Sequence, residues 1–439
     1  MPPCAEKSTR RVSAMKAEIL TTGSELMLGE ITDTNEVFLS RRLAELGVQV
    51  TRRTSVGDEP GLLRRAVAQA LHDHDLVVVS GGLGPTQDDL TIEAIADVLG
   101  LPLVEDALAR GWLEAWLASR GRPVSEQALR MVRMPAGAVP LQNRYGTAPG
   151  VWWSGDRGGA RKVVVALPGV PRELIGLFTE EVAPRLAGLG LGVIRSETLH
   201  LAGVPESEVD ARLGELWQSP NPTLGVCVGH GVLDVRFTAR AASGAEADAL
   251  LASFGRKVRA ALGDLVFGSE GVSLAAATGS LLRRSGKRLA VAESCTGGLI
   301  GDQLTDVPGA SEYLDRVLVV YSNRAKVELL GVPEATLAEF GAVSAETARA
   351  MAEGVRNRSA VDFGLAVTGI AGPGGGTERK PVGLVYVALA SPEGVTVREL
   401  RLGTDRRANK ARSAAAALTL LWEALGGGEV RPADLAAGE

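Results

Sequence analysis

The chain is 439 residues long and 45% hydrophobic, more than one compact core usually organises, so two or three domains are expected. Its 47 basic and 52 acidic residues leave a mildly negative net charge. There is thus no global electrostatic footprint for nucleic acid, and direct nucleic-acid binding is not expected. No uninterrupted apolar stretch approaches a membrane span, and Met1-Pro2-Pro3-Cys4-Ala5-Glu6 lacks a signal-peptide core, which predicts a cytoplasmic protein with no membrane partner.

Residues 1–14 are polar and unpatterned and read as a disordered extension. Strand patterns at 16–21, 48–56 and 75–80 then alternate with helical patterns at 35–46 and 60–71. Helical stretches follow at 91–99 and 105–119, and a strand at 162–166 precedes a helix opened by Pro171. This is the rhythm of a mainly parallel sheet wound with helices, and it marks a first α/β domain over 15–180. Short strands at 197–201, 223–228 and 234–239 mark a small α+β module over 181–270. A second α/β domain spans 271–428, with a polar, Gly-rich stretch after its last helix near Leu425, and a tail covers 429–439. Cys4, Cys227 and Cys295 lie far apart and suggest neither a disulfide framework nor a zinc site.

Three loops of the first domain carry more glycine and polar residues than folding requires. They are Thr22-Gly23-Ser24-Glu25 with Asp33-Thr34-Asn35; Gly81-Gly82-Leu83-Gly84-Pro85-Thr86-Gln87-Asp88-Asp89; and Asn143-Arg144-Tyr145-Gly146-Thr147, backed by Pro168-Gly169. Strand-end loops meet at one edge of such a sheet. Together they offer a backbone nest for phosphates, with Glu25, Asp33, Asp88 and Asp89 as candidate ligands of a hard divalent cation, Mg2+ or a transition metal. The plainer alternative is that Asp33 is an N-cap and that Asp88 and Asp89 favour a helix dipole. The absence of a Walker lysine argues against a P-loop nucleotidase.

The second α/β domain holds the most informative run, Ala292-Glu293-Ser294-Cys295-Thr296-Gly297-Gly298, followed by Tyr321-Ser322-Asn323 and Lys326. The apolar stretch 288–292 predicts a buried strand and 299–304 a helix, so Ser294 falls on a strand-to-helix turn. Free amides point outward at such a turn, and Gly297 and Gly298 leave them open to an anion or oxyanion. A serine hydroxyl needs a base, and a lysine serves when burial disfavours its charge. Ser294 is then the nucleophile, Lys326 the base and Tyr321 a third participant, with Glu293 and Thr296 beside the ligand. The plainer alternative makes Ser294 a helix cap, Lys326 a surface charge and Tyr321 an anchor, while Cys295 is a rival nucleophile. Thr368, Gly369, Gly372 and Gly374 offer further amides to a phosphate. Arg406, Arg407, Lys410 and Arg412 crowd the start of the last helix, where the dipole prefers acids, so Arg406 is either an anion contact or part of a solvated basic face.

At these motifs the chain resembles the CinA family of competence/damage-inducible proteins over nearly all of its length after residue 15. Gly341-Ala342-Val343-Ser344, Thr368-Gly369-Ile370-Ala371-Gly372-Pro373-Gly374-Gly375 and Lys380-Pro381-Val382-Gly383 carry the same resemblance. It departs at Asp315-Arg316, where the family usually shows a glycine pair. The resemblance implies a molybdopterin-binding-like domain (MoaB/MogA type) with metal-dependent ADP-ribose pyrophosphatase activity, a KH-like module and a nicotinamide mononucleotide deamidase domain. It also implies a homodimer, roles in NAD salvage, and catalysis by Ser294, Lys326 and Tyr321. No cofactor is expected at the deamidase site. The Gly268-Ser269-Glu270-Gly271 run carries an acid at the module's far edge, which argues against RNA clamping. A molybdopterin-binding protein, or a non-enzymatic factor in competence or DNA-damage response, is the competing expectation.

Overall fold

The computed structural model describes residues 15–229 and 231–436, so the 1–14 extension lies outside the described residues. The described residues up to Arg195, with Ala239–Leu250, make one compact unit; Ser196–Thr238 and the described residues from Leu251 onward make a second.

In the first unit a six-stranded sheet runs in the order Gln49–Val56, Lys16–Thr22, Leu76–Ser80, Ala160–Leu167, Gly150–Arg157, Val139–Leu141. The first four strands are parallel and the last two antiparallel. Leu76–Ser80 is buried at every position, as an apolar strand covered on both faces must be. Leu39, Leu43, Leu174 and Phe178 pack on one face, and Leu63, Val67, Ile95 and Leu113 on the other. The antiparallel neighbour Gly150–Arg157 was not expected. Its turn is Gly158-Gly159, with φ of 63° and 79°, the left-handed pair that matches the twist of a tight hairpin.

The second α/β region carries a five-stranded sheet in the order Leu314–Val319, Leu289–Glu293, Phe363–Gly369, Leu384–Ser391, Gly394–Arg401. The first three strands are parallel and the last two antiparallel. Helix Arg406–Ala424 buries Leu418, Leu421 and Trp422 on one face, and Ala345–Ser359 buries Met351 and Val355 on the other. Leu289–Glu293 therefore ends between two parallel neighbours, where a crevice forms. Asp315 and Arg316 sit on the outer strand, paired with Arg288 and with each other, at the end away from Tyr321.

The small module is a four-stranded sheet in the order Thr223–Val228, Val232–Ala241, Val193–Ala202, Val266–Ser269. Gly268 is paired with His200 and bridged to Val430, so this glycine is consumed by the sheet. The described part of 429–439 also departs from expectation. Val430 is buried, Glu429 pairs with Arg259 at 2.8 Å, and Pro432–Ala436 is helical. Local composition is polar there, and Val430, the partly buried Leu435 and two ion pairs, Glu429–Arg259 and Asp434–Arg284, fasten it.

Candidate functional site

In the second unit, the end of strand Leu289–Glu293 is pinned from both sides. The Val320 amide donates to the Glu293 carbonyl at 2.8 Å, and the Ser294 amide donates to the Val367 carbonyl at 3.0 Å. Ser322 caps helix Asn323–Leu330 by accepting from the Ala325 amide, which places Lys326 in the first helical turn. Its Nζ lies 3.1 Å from Ser294 Oγ, 2.8 Å from the Val320 carbonyl and 3.4 Å from that of Tyr321. Only 1% of Lys326 is exposed, and burial holds its pKa below the ordinary 10.5. A position near a helix N-terminus acts in the same direction. A neutral amine has two N–H donors and one lone pair. Once deprotonated, the amine can keep both donors on the carbonyls and turn its lone pair to the Ser294 hydroxyl, which is the arrangement a base needs.

Cys295 is the weaker nucleophile here. Burial pushes its thiol up to about 12, so at neutral pH it is the unreactive thiol rather than the thiolate.

The Glu293 side chain turns inward. It is fully buried, and its carboxylate accepts from the amides of Gly298 (2.9 Å), Ile300 (3.2 Å) and Gly301 (2.9 Å). The Gly297 amide donates to the Ser294 carbonyl at 3.2 Å. The expected anion cradle at Gly297 and Gly298 is thereby corrected: both amides are engaged within the turn. Among the described residues, the amides of Cys295 and Thr296 are the ones on this turn with no bond to another residue. Thr296 is fully buried and its hydroxyl has no partner. Sequence pattern could not assign the amides, because it shows a carboxylate beside a turn without its direction.

The Tyr321 side chain is 62% exposed, and its phenol meets Arg406 Nη2 at 3.3 Å. Its carbonyl, not its hydroxyl, reaches Lys326. Arg406 also donates to the Gly372 carbonyl at 2.7 Å. Asn409, which sequence reasoning passed over, donates to the carbonyls of Ala371 and Gly403 at 3.0 and 2.8 Å and so ties the 371–374 loop to the last helix. A Cβ added to Gly297 would lie 3.6 Å from Lys410 Nζ. Among the described residues neither Arg406 nor Lys410 has a carboxylate partner, so no carboxylate neutralises either charge. Thr368 is buried with its hydroxyl on the Ala342 carbonyl at 2.7 Å. Gly369 ends its strand, and Gly374 is exposed in the loop.

In the first unit, Asn35 joins two of the predicted loops, its Nδ2 donating to Ser80 Oγ at 3.1 Å and to the Gly169 carbonyl at 2.7 Å. Its Oδ1 is buried and unpartnered. Gly81 and Gly82 have φ of 105° and 66°, and a Cβ on Gly81 would sit 2.5 Å from the Thr22 carbonyl; glycine is required there. Thr86 donates from its amide and hydroxyl to Asp89 Oδ2 at 2.9 and 2.6 Å, and Gly84 leaves room for that carboxylate. Asn143 donates to the Ala148 carbonyl and to Glu173 at 2.9 and 2.6 Å. Glu173 also fills the space beside Gly146, and Thr147 lies in the same loop. Pro168 is buried and Gly169 exposed. Gly23 is buried with exposed Glu25 folded beside it.

Of the predicted metal ligands, Asp33 caps helix Thr34–Glu45 through the Glu36 amide at 2.9 Å, while its Oδ2 is buried without a partner. Asp88 is exposed. Among the described residues no three His, Cys, Asp or Glu side chains converge into a metal-holding group. Asp58 was missed: it accepts from Thr22 Oγ1 (2.9 Å), the Ser24 amide (2.8 Å) and Ser24 Oγ (2.8 Å). The usable signal was its place just after strand Gln49–Val56, at the same sheet edge.

An α/β chain with two sets of strand-end loops, one of them built on a serine–lysine pair, narrows the choice of class, and comparison with known proteins gives the family. Residues 272–425 match the family described as the CinA C-terminal domain, residues 18–188 the "probable molybdopterin binding domain", and residues 196–268 the damage-inducible protein CinA KH domain. A protein of Moorella thermoacetica described as competence-damage inducible is 45% identical over 94% of this chain and 99% of its own. A CinA-like protein of Gloeobacter violaceus is 44% identical over the same shares. The chain belongs to the CinA family. Among solved structures, the competence/damage inducible protein CihA of Agrobacterium tumefaciens is 45% identical, covering 35% of this chain and 93% of that one, with a TM-score of 0.34.

Proposed function

We propose that the second α/β domain hydrolyses the carboxamide of nicotinamide mononucleotide to nicotinic acid mononucleotide and ammonia. The observation that carries this reading is the buried Lys326 amine 3.1 Å from Ser294 Oγ. Ser294 Oγ bonds to the carboxamide carbon as its proton passes to Lys326 Nζ. The amides of Cys295 and Thr296 stabilise the oxyanion. The C–N bond then breaks and the Lys326 proton leaves with ammonia. Water, deprotonated by the same amine, adds to the acyl carbon, the ester C–O bond breaks to release the acid, and the proton passes from Lys326 Nζ to Ser294 Oγ. Arg406 and Lys410, with Tyr321 holding Arg406, take the ligand's phosphate.

The first domain is proposed to cleave ADP-ribose to AMP and ribose 5-phosphate with a divalent cation. The unpartnered Asp33 Oδ2 fits a hard cation, and a Mg2+ site needs only one or two carboxylates when substrate phosphates supply the rest. Asp33 and Asp88 are the carboxylates that would hold it, and Asp89 shapes the loop. When bound, the ion supplies charge neutralisation at the diphosphate and a more acidic water. Asn35 positions the ligand, and the glycine loop admits its phosphates. The match to a molybdopterin binding domain supports a second reading, pterin binding without turnover.

Product analysis after incubation with each nucleotide, with and without divalent metal, tests both. The expected results are ammonia from nicotinamide mononucleotide in either condition, and AMP from ADP-ribose only with metal. Pterin binding with no AMP under any divalent cation would favour the second reading.

A further inference from the structure

We infer that Glu293 is a positioning residue for the reaction at Ser294, one that shapes the oxyanion site without touching the substrate. This rests on the amide-hydrolysis reading above. Three backbone amides converge on its carboxylate from Gly298, Ile300 and Gly301, and none of its surface is exposed. A buried carboxylate is tolerable only when its lone pairs are met by donors, and here backbone donors of the following helix meet them.

The consequence is geometric. Glu293 and helix Leu299–Thr305 are the two ends of the Ser294 turn, and the carboxylate ties one to the other. Between these ends the chain has two glycines with left-handed φ, 64° at Gly297 and 95° at Gly298, so the turn has little stiffness of its own. The tie also occupies the Gly298, Ile300 and Gly301 amides at the start of the helix. Within the turn an oxyanion is left with Cys295 and Thr296, whose amides lie inside the tied loop, and the ligand's phosphate is directed to Arg406 and Lys410 instead. Loosening the tie should damage the transition state more than ground-state binding, because the phosphate contacts lie on another helix.

Cys295 provides a reporter that does not depend on turnover. It is buried inside the tied turn, whereas Cys227 is exposed. The test compares the full chain with Glu293→Gln, which keeps the shape and removes the charge, and Glu293→Asp, which keeps the charge and is too short to reach all three amides. In both variants kcat with nicotinamide mononucleotide should fall about tenfold or more, the scale of losing charge-assisted hydrogen bonds, with KM changed by less than about threefold. Iodoacetamide labelling of Cys295, mapped by peptide mass, should accelerate relative to Cys227. The midpoint of the pH–rate profile should stay in place, because burial of Lys326 sets it. A lower Tm with kcat per folded molecule and Cys295 labelling both unchanged would overturn the inference, since that is what a purely structural carboxylate gives. If the parent protein releases no ammonia, the amide-hydrolysis reading fails by itself. Labelling of Cys295, and of Ser294 by a fluorophosphonate, then still decides the role of Glu293: faster Cys295 labelling with slower Ser294 labelling supports it, and no change in either refutes it.

Discussion

The two loop-built edges differ in how much of their chemistry is complete without a ligand. At Ser294 the reacting pair is already in contact, and burial lowers the Lys326 pKa below the ordinary lysine value. At the Gly81–Gly82 edge most polar groups are spent on each other: Thr86 on Asp89, Asn143 on Glu173, and Thr22 and Ser24 on Asp58. Among the described residues, the buried acceptors left there without a partner are Asp33 Oδ2 and Asn35 Oδ1. A nucleophile–base pair must be preorganised by the protein, whereas a diphosphate site can leave charge balance to the cation that arrives with its ligand.

The largest effect should come from breaking the preorganised pair. Ser294→Ala and Lys326→Ala should each lower ammonia release by about a thousandfold or more, and the double variant should be little worse, because nucleophile and base act as a unit. Lys326→Arg should be as inactive, since a guanidinium cannot give up its proton.

Chelation should separate the two edges next. EDTA should abolish AMP formation and leave ammonia release intact. Asp33→Asn and Asp88→Asn should lower AMP formation about 10- to 100-fold and spare deamidation, measured on the same preparations.

A smaller, graded effect should appear with pH. Deamidation should rise with pH as Lys326 loses its proton, with a midpoint below the ordinary lysine value of 10.5. Stability follows the same group. Its folded pKa is depressed, so the unfolded chain binds the extra proton between the folded pKa and 10.5, and stability is lost as pH falls through that window. Lys326→Met, which removes this penalty, should raise Tm at neutral pH while abolishing activity. The smallest effect should be on ligand affinity: Arg406→Gln should raise KM for nicotinamide mononucleotide about tenfold with a lesser change in kcat, removing one charged contact to phosphate.

The sequence was most readable where function coincides with local pattern. The apolar run 289–292, the small-residue turn after it and the helix that follows Tyr321 locate Ser294 and Lys326 without any long-range information. Ranges such as 91–99 and 223–228 came out as the structure has them because periodicity and flanking glycines agree. Side-chain direction was the part that pattern could not carry. Glu293 turns inward onto three amides, Tyr321 turns its phenol to Arg406, and Asp89 folds back three residues onto Thr86. Each choice depends on neighbours far along the chain or on one χ angle. The hairpin partner Gly150–Arg157 was missed because its outer half alternates weakly, and the 429–436 segment because a single buried Val430 is no periodic signal.

One measurement bears most directly on the serine–lysine assignment: ammonia release from nicotinamide mononucleotide by Ser294→Ala and Cys295→Ala side by side. With the Cys295 thiol held up at about 12, Cys295→Ala should keep most of the parent rate and Ser294→Ala should lose it. Activity retained in Ser294→Ala and lost in Cys295→Ala would contradict the assignment.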